Sequence, residues 1–282
     1  VNGGQATFDQ IDEAFMTISG SFGSVKIGMS DTAAKGMTTG LQGTWASNVG
    51  ENITFNGGKL FVRPGTVTAR TTPGAQMDGS SDGEQISYTT PSFGGFQVSA
   101  GYAQNSLETF DGLTTAAQAV DGDIVDIAAR YTGKIGDVGF RVGGGYMQAN
   151  EQAVGREDSS QWMFGGSVRI AAFQLAASYS RQDATTNSTG AIAIEEVDTL
   201  ELGVRAWMGP NEFSLSYLRS EANSPTAAVD GDEESYIVAA MRRSLGKGVR
   251  WHNTLYYYDA EDGDSAPAAA AITSNDGFAF TT

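Results

Sequence analysis

The sequence predicts an all-β protein whose strands run antiparallel in up-and-down order. Three observations carry this. Apolar and polar residues alternate with a period of two through thirteen separate segments of the 282-residue chain, which is how strands with two chemically different faces read. The connections between those segments alternate short and long without exception, leaving one smooth rim and one loopy rim. Finally, 37 glycines with 10% aromatic residues suit many short strands joined by tight turns.

In chain order, Ala14, Met16 and Ile18 alternate with Phe15, Thr17 and Ser19. After the turn Gly20-Ser21-Phe22-Gly23, Val25, Ile27 and Met29 alternate with Ser24, Lys26 and Gly28. Ile86 and Tyr88 mark a third strand, and a turn over 91–95 leads to Phe96, Val98, Ala100 and Tyr102. Val125, Ile127, Ala129 and Tyr131 oppose Asp126, Ala128 and Arg130; beyond a turn over 133–137, Val138, Phe140, Val142 and Tyr146 oppose Arg141. Trp162, Phe164, Val168 and Ile170 oppose Ser167 and Arg169, and the link Ala171-Ala172 leads to Phe173, Leu175, Ala177 and Tyr179. Leu200, Leu202 and Val204 oppose Glu201 and Arg205; Gly209-Pro210-Asn211 turns into Phe213, Leu215 and Tyr217. Ile237, Ala239 and Met241 oppose Arg242, and Gly246-Lys247-Gly248 turns into Val249, Trp251, Leu255 and Tyr257, opposite Arg250, His252 and Thr254. Phe278 and Phe280 begin a last strand.

One connection is out of scale. Residues 30–83 carry no sustained helical or strand period, and loops beyond roughly 12–15 residues are uncommon in a compact domain unless functional or disordered. The other long connections centre on 105–123, 149–160, 182–196, 221–234 and 259–276. Those five hold twenty of the 33 acidic residues and a single base, Arg156. The 30–83 stretch is balanced instead: Asp31, Glu51, Asp78 and Asp82 against Lys35, Lys59, Arg63 and Arg70.

Composition excludes several classes. A formal charge of −16 argues against nucleic-acid binding. Without cysteine there is no disulfide framework, thiol nucleophile or thiolate metal site, and His252 is the one histidine. The acidic runs Asp230, Asp232, Glu233, Glu234 and Asp259, Glu261, Asp262, Asp264 lack the spacing of a calcium-binding loop. They read first as solvated loop charge; their functional reading is weak binding of Ca²⁺ or Mg²⁺ on the loopy rim. Gly143 to Gly145 lie within a strand and carry no phosphate-loop lysine. No enzyme constellation is present, and no cofactor is expected.

No run approaches 18–20 apolar residues, so no transmembrane helix is expected. Alternation alone fits both a soluble meander and a barrel in lipid. Three features favour the membrane: aromatics such as Tyr102, Tyr146, Trp162, Phe173, Tyr179 and Phe213 sit near strand ends on the apolar phase, as in interfacial girdles; Gly and Ala recur inside strands; and thirteen strands without helices have no second layer to cover an apolar face. Closure in lipid pairs every backbone group. Lys26, Arg130, Arg141, Arg169, Arg205, Arg242 and Arg250 all fall on the polar phase. Facing lipid, each would cost on the order of 2–4 kcal/mol at the midplane; in a water-filled barrel they line the lumen.

The stretch Ser21-Phe22-Gly23-Ser24-Val25-Lys26-Ile27-Gly28, with the strand before it, resembles the strand–turn–strand that precedes the long third loop in Gram-negative general porins, most closely the alphaproteobacterial type. Phe93-Gly94-Gly95-Phe96-Gln97-Val98-Ser99-Ala100-Gly101-Tyr102 resembles the strand pair following that loop. The resemblance covers the chain in topology and these two stretches in sequence. It implies a transmembrane antiparallel up-and-down β-barrel of sixteen strands, thirteen of them visible here, forming one domain over 1–282 with 30–83 as an inserted constriction loop. On that template about three N-terminal strands and a few C-terminal residues lie beyond the sequence given. The implied function is an integral outer-membrane channel, homotrimeric and not an enzyme, passing small hydrophilic solutes and ions filtered by size and charge. Partners are outer-membrane lipid, lipopolysaccharide and the solutes. Lys26 on the wall and Glu51 in the loop are the first pore-lining candidates, then Arg130 and Arg141, then Arg169, Arg205, Arg242 and Arg250. Two alternatives stand: a structural or surface-binding outer-membrane barrel whose pore is incidental, and a soluble β-rich surface protein.

Overall fold

The structure is a computed structural model that describes residues 13–49, 60–61, 77, 83–105, 121–151, 158–186, 192–223, 231–263 and 274–282. One antiparallel sheet of 13 strands runs through it, each strand paired with its neighbours in sequence. The strands are β1 (Ala14–Gly20), β2 (Gly23–Met29), β3 (Glu84–Thr89), β4 (Phe96–Asn105), β5 (Asp121–Ile135), β6 (Val138–Glu151), β7 (Ser159–Ile170), β8 (Phe173–Thr186), β9 (Ile192–Met208), β10 (Asn211–Asn223), β11 (Asp232–Gly246), β12 (Val249–Glu261) and β13 (Ser274–Thr281). Short turns join β1–β2, β3–β4, β5–β6, β7–β8, β9–β10 and β11–β12, the alternation expected from sequence. Several short turns use glycine in the left-handed region, with Gly136 at φ 58°, Gly209 at 62° and Gly248 at 79°. At the β7–β8 turn Ala171 takes that conformation, at φ 51°.

The two faces of the sheet are inverted relative to a soluble protein. The apolar phase faces outward: Ile127 is 52% exposed, Leu215 50% and Phe164 65%. The polar phase is covered, with Ser87, Ser99, Gln161, Ser178 and Ser216 all buried. A continuous exposed apolar surface of this kind needs an apolar solvent, and a closed ring of hydrogen-bonded strands is one of the two structures that satisfy their backbone inside a bilayer. Aromatic contacts mark the ends of this band. Trp162 lies 5.5 Å from Tyr179 and Tyr257 5.0 Å from Phe278 towards the long connections; Tyr131 lies 5.5 Å from Phe140 towards the short ones.

What covers the polar phase is the segment after β2. It contains two short helices, α1 (Ala33–Thr38) and α2 (Gly43–Ser47). Thr32 caps α1, its hydroxyl accepting the Lys35 N–H at 3.1 Å. The segment follows the strands in order: α1 packs on β3 to β6, α2 on β7 to β10, and Phe61 stacks on Tyr258 of β12 at 4.9 Å beside Tyr236 of β11. The sheet therefore curls around its own inserted segment. Ala34, Leu41 and Met77 are fully buried there with Ile124 and Met163. Wall glycines make the approach possible: a Cβ on Gly165 would meet the Leu41 carbonyl, and one on Gly203 would strike Ser47.

Candidate functional site

Wall carboxylates hold the inserted segment in place. Asp126 on β5 accepts the Ala34 N–H at 2.5 Å, in the first turn of α1. Glu201 on β9 does the same for α2, accepting the Thr44 N–H at 2.9 Å and its hydroxyl at 2.5 Å. Helix N-termini leave amide donors without intrahelical partners, and a buried carboxylate meets that need. Neutral groups add to the anchorage. Gly43 N–H donates to Ser178 Oγ at 2.8 Å, Val49 N–H to Ser214 Oγ at 3.1 Å, and Gln174 Nε2 to the Ala46 carbonyl at 2.9 Å. Gln85 Nε2 reaches back to Ser30 Oγ at 2.9 Å, and His252 Nδ1 stands 3.2 Å from the Val49 carbonyl.

The predicted cations all stand on this covered face, mostly towards its short-turn end. The Lys26 ammonium sits 4.5 Å above the Phe15 ring. Arg130 donates to the Met37 carbonyl at 3.3 Å and to Gln97 Oε1 at 3.5 Å. Arg141 lies beside Gly40. Trp207 carries two guanidiniums, Arg169 at 4.3 Å and Arg205 at 4.6 Å from its ring centre. Glu212 binds Arg205 and receives Arg242 through two bonds, at 3.2 and 2.5 Å. Cross-strand register links them: Gln97 pairs with Arg130, Gln174 lies between Arg169 and Arg205, Glu212 opposes Arg242, and Arg242 opposes His252. Arg250 sits on the same rim at the start of β12, exposed. The result is a belt of positive charge below the inserted segment; Glu212 lies inside it between Arg205 and Arg242, and Asp31 lines the recess that Lys26 and Arg130 share.

Glu51 lies outside the described residues, as do Asp78, Asp82, Lys59, Arg63 and Arg70. Asp31 is ion-paired to Lys35. Of the two acidic runs, Asp230 and Asp264 are likewise outside. Asp232 accepts the Gly263 N–H at 3.3 Å and Glu234 the Tyr258 hydroxyl at 3.0 Å. Among the described residues no group of three or more His, Asp or Glu side chains is placed to hold a metal ion. On the outward face, above the aromatic band, Arg181 pairs with Asp198 and Glu196 at 2.9 Å, and Arg219 with Glu233 at 2.6 Å.

Asp126, Glu201, Gln174, Trp207 and Glu212 are the residues that sequence reasoning missed as site residues. Their signal was position on the polar phase, which they share with many serines.

The family model described as Gram-negative porin matches residues 1–263. Among solved structures, the anion-selective porin from Comamonas acidovorans superposes with a TM-score of 0.60 at 18% identity, over 94% of this chain and 72% of that one. OmpF of Salmonella typhi, solved with daunomycin, gives 0.58 at 12% identity over 95% and 76%. OmpT, an outer membrane protein of Vibrio cholerae, gives 0.56 at 12% identity over 95% and 77%. No curated protein sequence matches the chain.

Proposed function

This chain belongs to the Gram-negative porin family, integral outer-membrane β-barrel channels rather than enzymes, and we propose that it passes small hydrophilic solutes and ions by passive diffusion, selecting them by size and charge where residues 30–83 narrow the lumen. The carrying observation is the inversion of the sheet: helices α1 and α2 occupy the polar face while the apolar face stays exposed. A segment lodged inside a wet barrel reduces the free cross-section without closing the backbone ladder, and charged walls at such a constriction discriminate among ions. Size exclusion comes from the segment, and charge filtering from the wall cations. Lys26, Arg130 and Arg141 act beside it, and Arg169, Arg205, Arg242 and Arg250 farther round the wall. Glu51 is proposed as the opposing carboxylate on the loop. The working assembly is a homotrimer, and the acidic outer connections bind Ca²⁺ weakly at the lipopolysaccharide surface.

Reconstitution into planar bilayers tests the reading. The purified protein is expected to give stepwise conductance increments; a folded, heat-modifiable protein giving none would leave a structural barrel with an incidental pore. Glu51→Gln is expected to move the reversal potential in a salt gradient towards anions. An unchanged reversal potential removes Glu51 from the constriction.

A further inference from the structure

The geometry points to a binding subsite for a small oxyanion, the phosphate or carboxylate head of a passing solute, in a recess of about 380 Å³ on the inner wall between Arg141, Arg169 and the inserted segment. It rests on the channel reading and deepens it.

Arg141 and Arg169 are diagonal neighbours on adjacent strands. Register pairs Arg141 with Ser167, two residues before Arg169 on β7, so the two guanidiniums share one face at close quarters. Like charges so placed repel, and such pairs are commonly relieved by a carboxylate. Arg205 and Arg242 show this relief nearby, because Glu212 bridges them. Among the described residues Arg141 and Arg169 have no such partner, and both remain exposed. Arg169 is not loose, because its stacking on Trp207 fixes the guanidinium plane while leaving its N–H edge available. The recess is also kept open: nothing lies within 4 Å of where a Cβ on Gly139, the cross-strand partner of Arg169, would stand. Its polar lining is completed by Ser167, Thr132 and Gln174, all able to hydrogen-bond oxygen. Two forked donors with hydroxyls between them match the oxygens of a phosphate or carboxylate, and arginine binds such groups through two parallel bonds. A monatomic anion makes no use of that geometry.

The test uses the folded full chain with inorganic phosphate as probe. In bilayers bathed in KCl, millimolar phosphate is expected to lower the chloride current of the wild type and to leave that of the Arg141→Gln, Arg169→Gln double variant unchanged. The anion-to-cation permeability ratio should fall about sevenfold for each arginine removed, because one unit charge roughly 7 Å away through water weights the anion about threefold up and the cation about threefold down. Gly139→Asp, which keeps both arginines and supplies the missing carboxylate, is expected to abolish the phosphate effect as well. Broadening of the phosphorus-31 resonance on detergent-folded protein reads binding without any conductance. Broadening in the wild type that is lost in both variants supports the subsite. Conductance with no phosphate effect, or broadening that survives in the double variant, overturns it while leaving the channel intact. An absence of conductance beside intact broadening overturns the channel reading alone.

Discussion

At the scale of residues, the inserted segment is held by a few polar contacts that could not be seen in the sequence. Glu201 reads there as one polar-phase residue among many. Its task is set by a backbone N–H more than 150 positions away, in a stretch with no period to place it. The contact is buried and charge-assisted, so its loss exposes an unsatisfied amide and hydroxyl at Thr44. Glu201→Leu is expected to weaken the seating of α2 by about 1.5–3 kcal/mol. Open-channel current noise should rise by severalfold while the heat-unfolding temperature of the barrel shifts little, because the strand ladder is untouched. Glu201→Gln, which keeps one acceptor oxygen, should fall between. The cations were legible for the opposite reason. A charge on a strand of period two has one tolerable face in lipid, so phase alone assigns Arg130, Arg141 and Arg169 to the inner wall.

Strands of a regular period were placed correctly, because a strand's side-chain period does not depend on its partners; their ends were not, since β5 runs through Gly133 to Ile135, read as turn, and β9 through 192–196, read as long connection. Helices α1 and α2 escaped notice because six and five residues are too few to display a 3.6-residue period or to be stable alone. They exist because the wall supplies their partners. Gly203 is part of that supply, and a methyl group there would overlap Ser47 and crowd the Gly43 carbonyl. Gly203→Ala is therefore expected to push α2 off β9 and widen the lumen, raising single-channel conductance. Ser47→Gly in the same chain should recover part of the original value. A conductance unchanged by Gly203→Ala would show that α2 has freedom to move aside. Alternation alone left open which face was inner, since a soluble meander alternates in the same way; the strand-end aromatics and the missing second layer pointed to a lipid-facing apolar phase, and the packing of residues 30–49 on the polar phase agrees.

For the whole molecule, the controlling quantity is the solvent on each face. Leu215→Arg, on the exposed apolar band, is expected to lower folding stability in phospholipid vesicles by about 2–4 kcal/mol. Ser244→Arg, on the inner face near the short-turn rim, should change it by less than about 0.5 kcal/mol. Urea titration of vesicle-folded protein measures both, and equal costs would contradict the assignment of faces. A second consequence comes from the way the inserted segment keeps step with the strands. Its wall contacts span progressively more chain: 92 residues from Ala34 to Asp126, 135 from Gly43 to Ser178, 157 from Thr44 to Glu201, and 203 from Val49 to His252. Each closure lengthens a loop already partly closed, so the added entropy cost is small. Each new contact extends a path already laid, so segment and wall stabilise one another in chain order, and the segment braces the inner wall as a mandrel as much as the wall positions the segment.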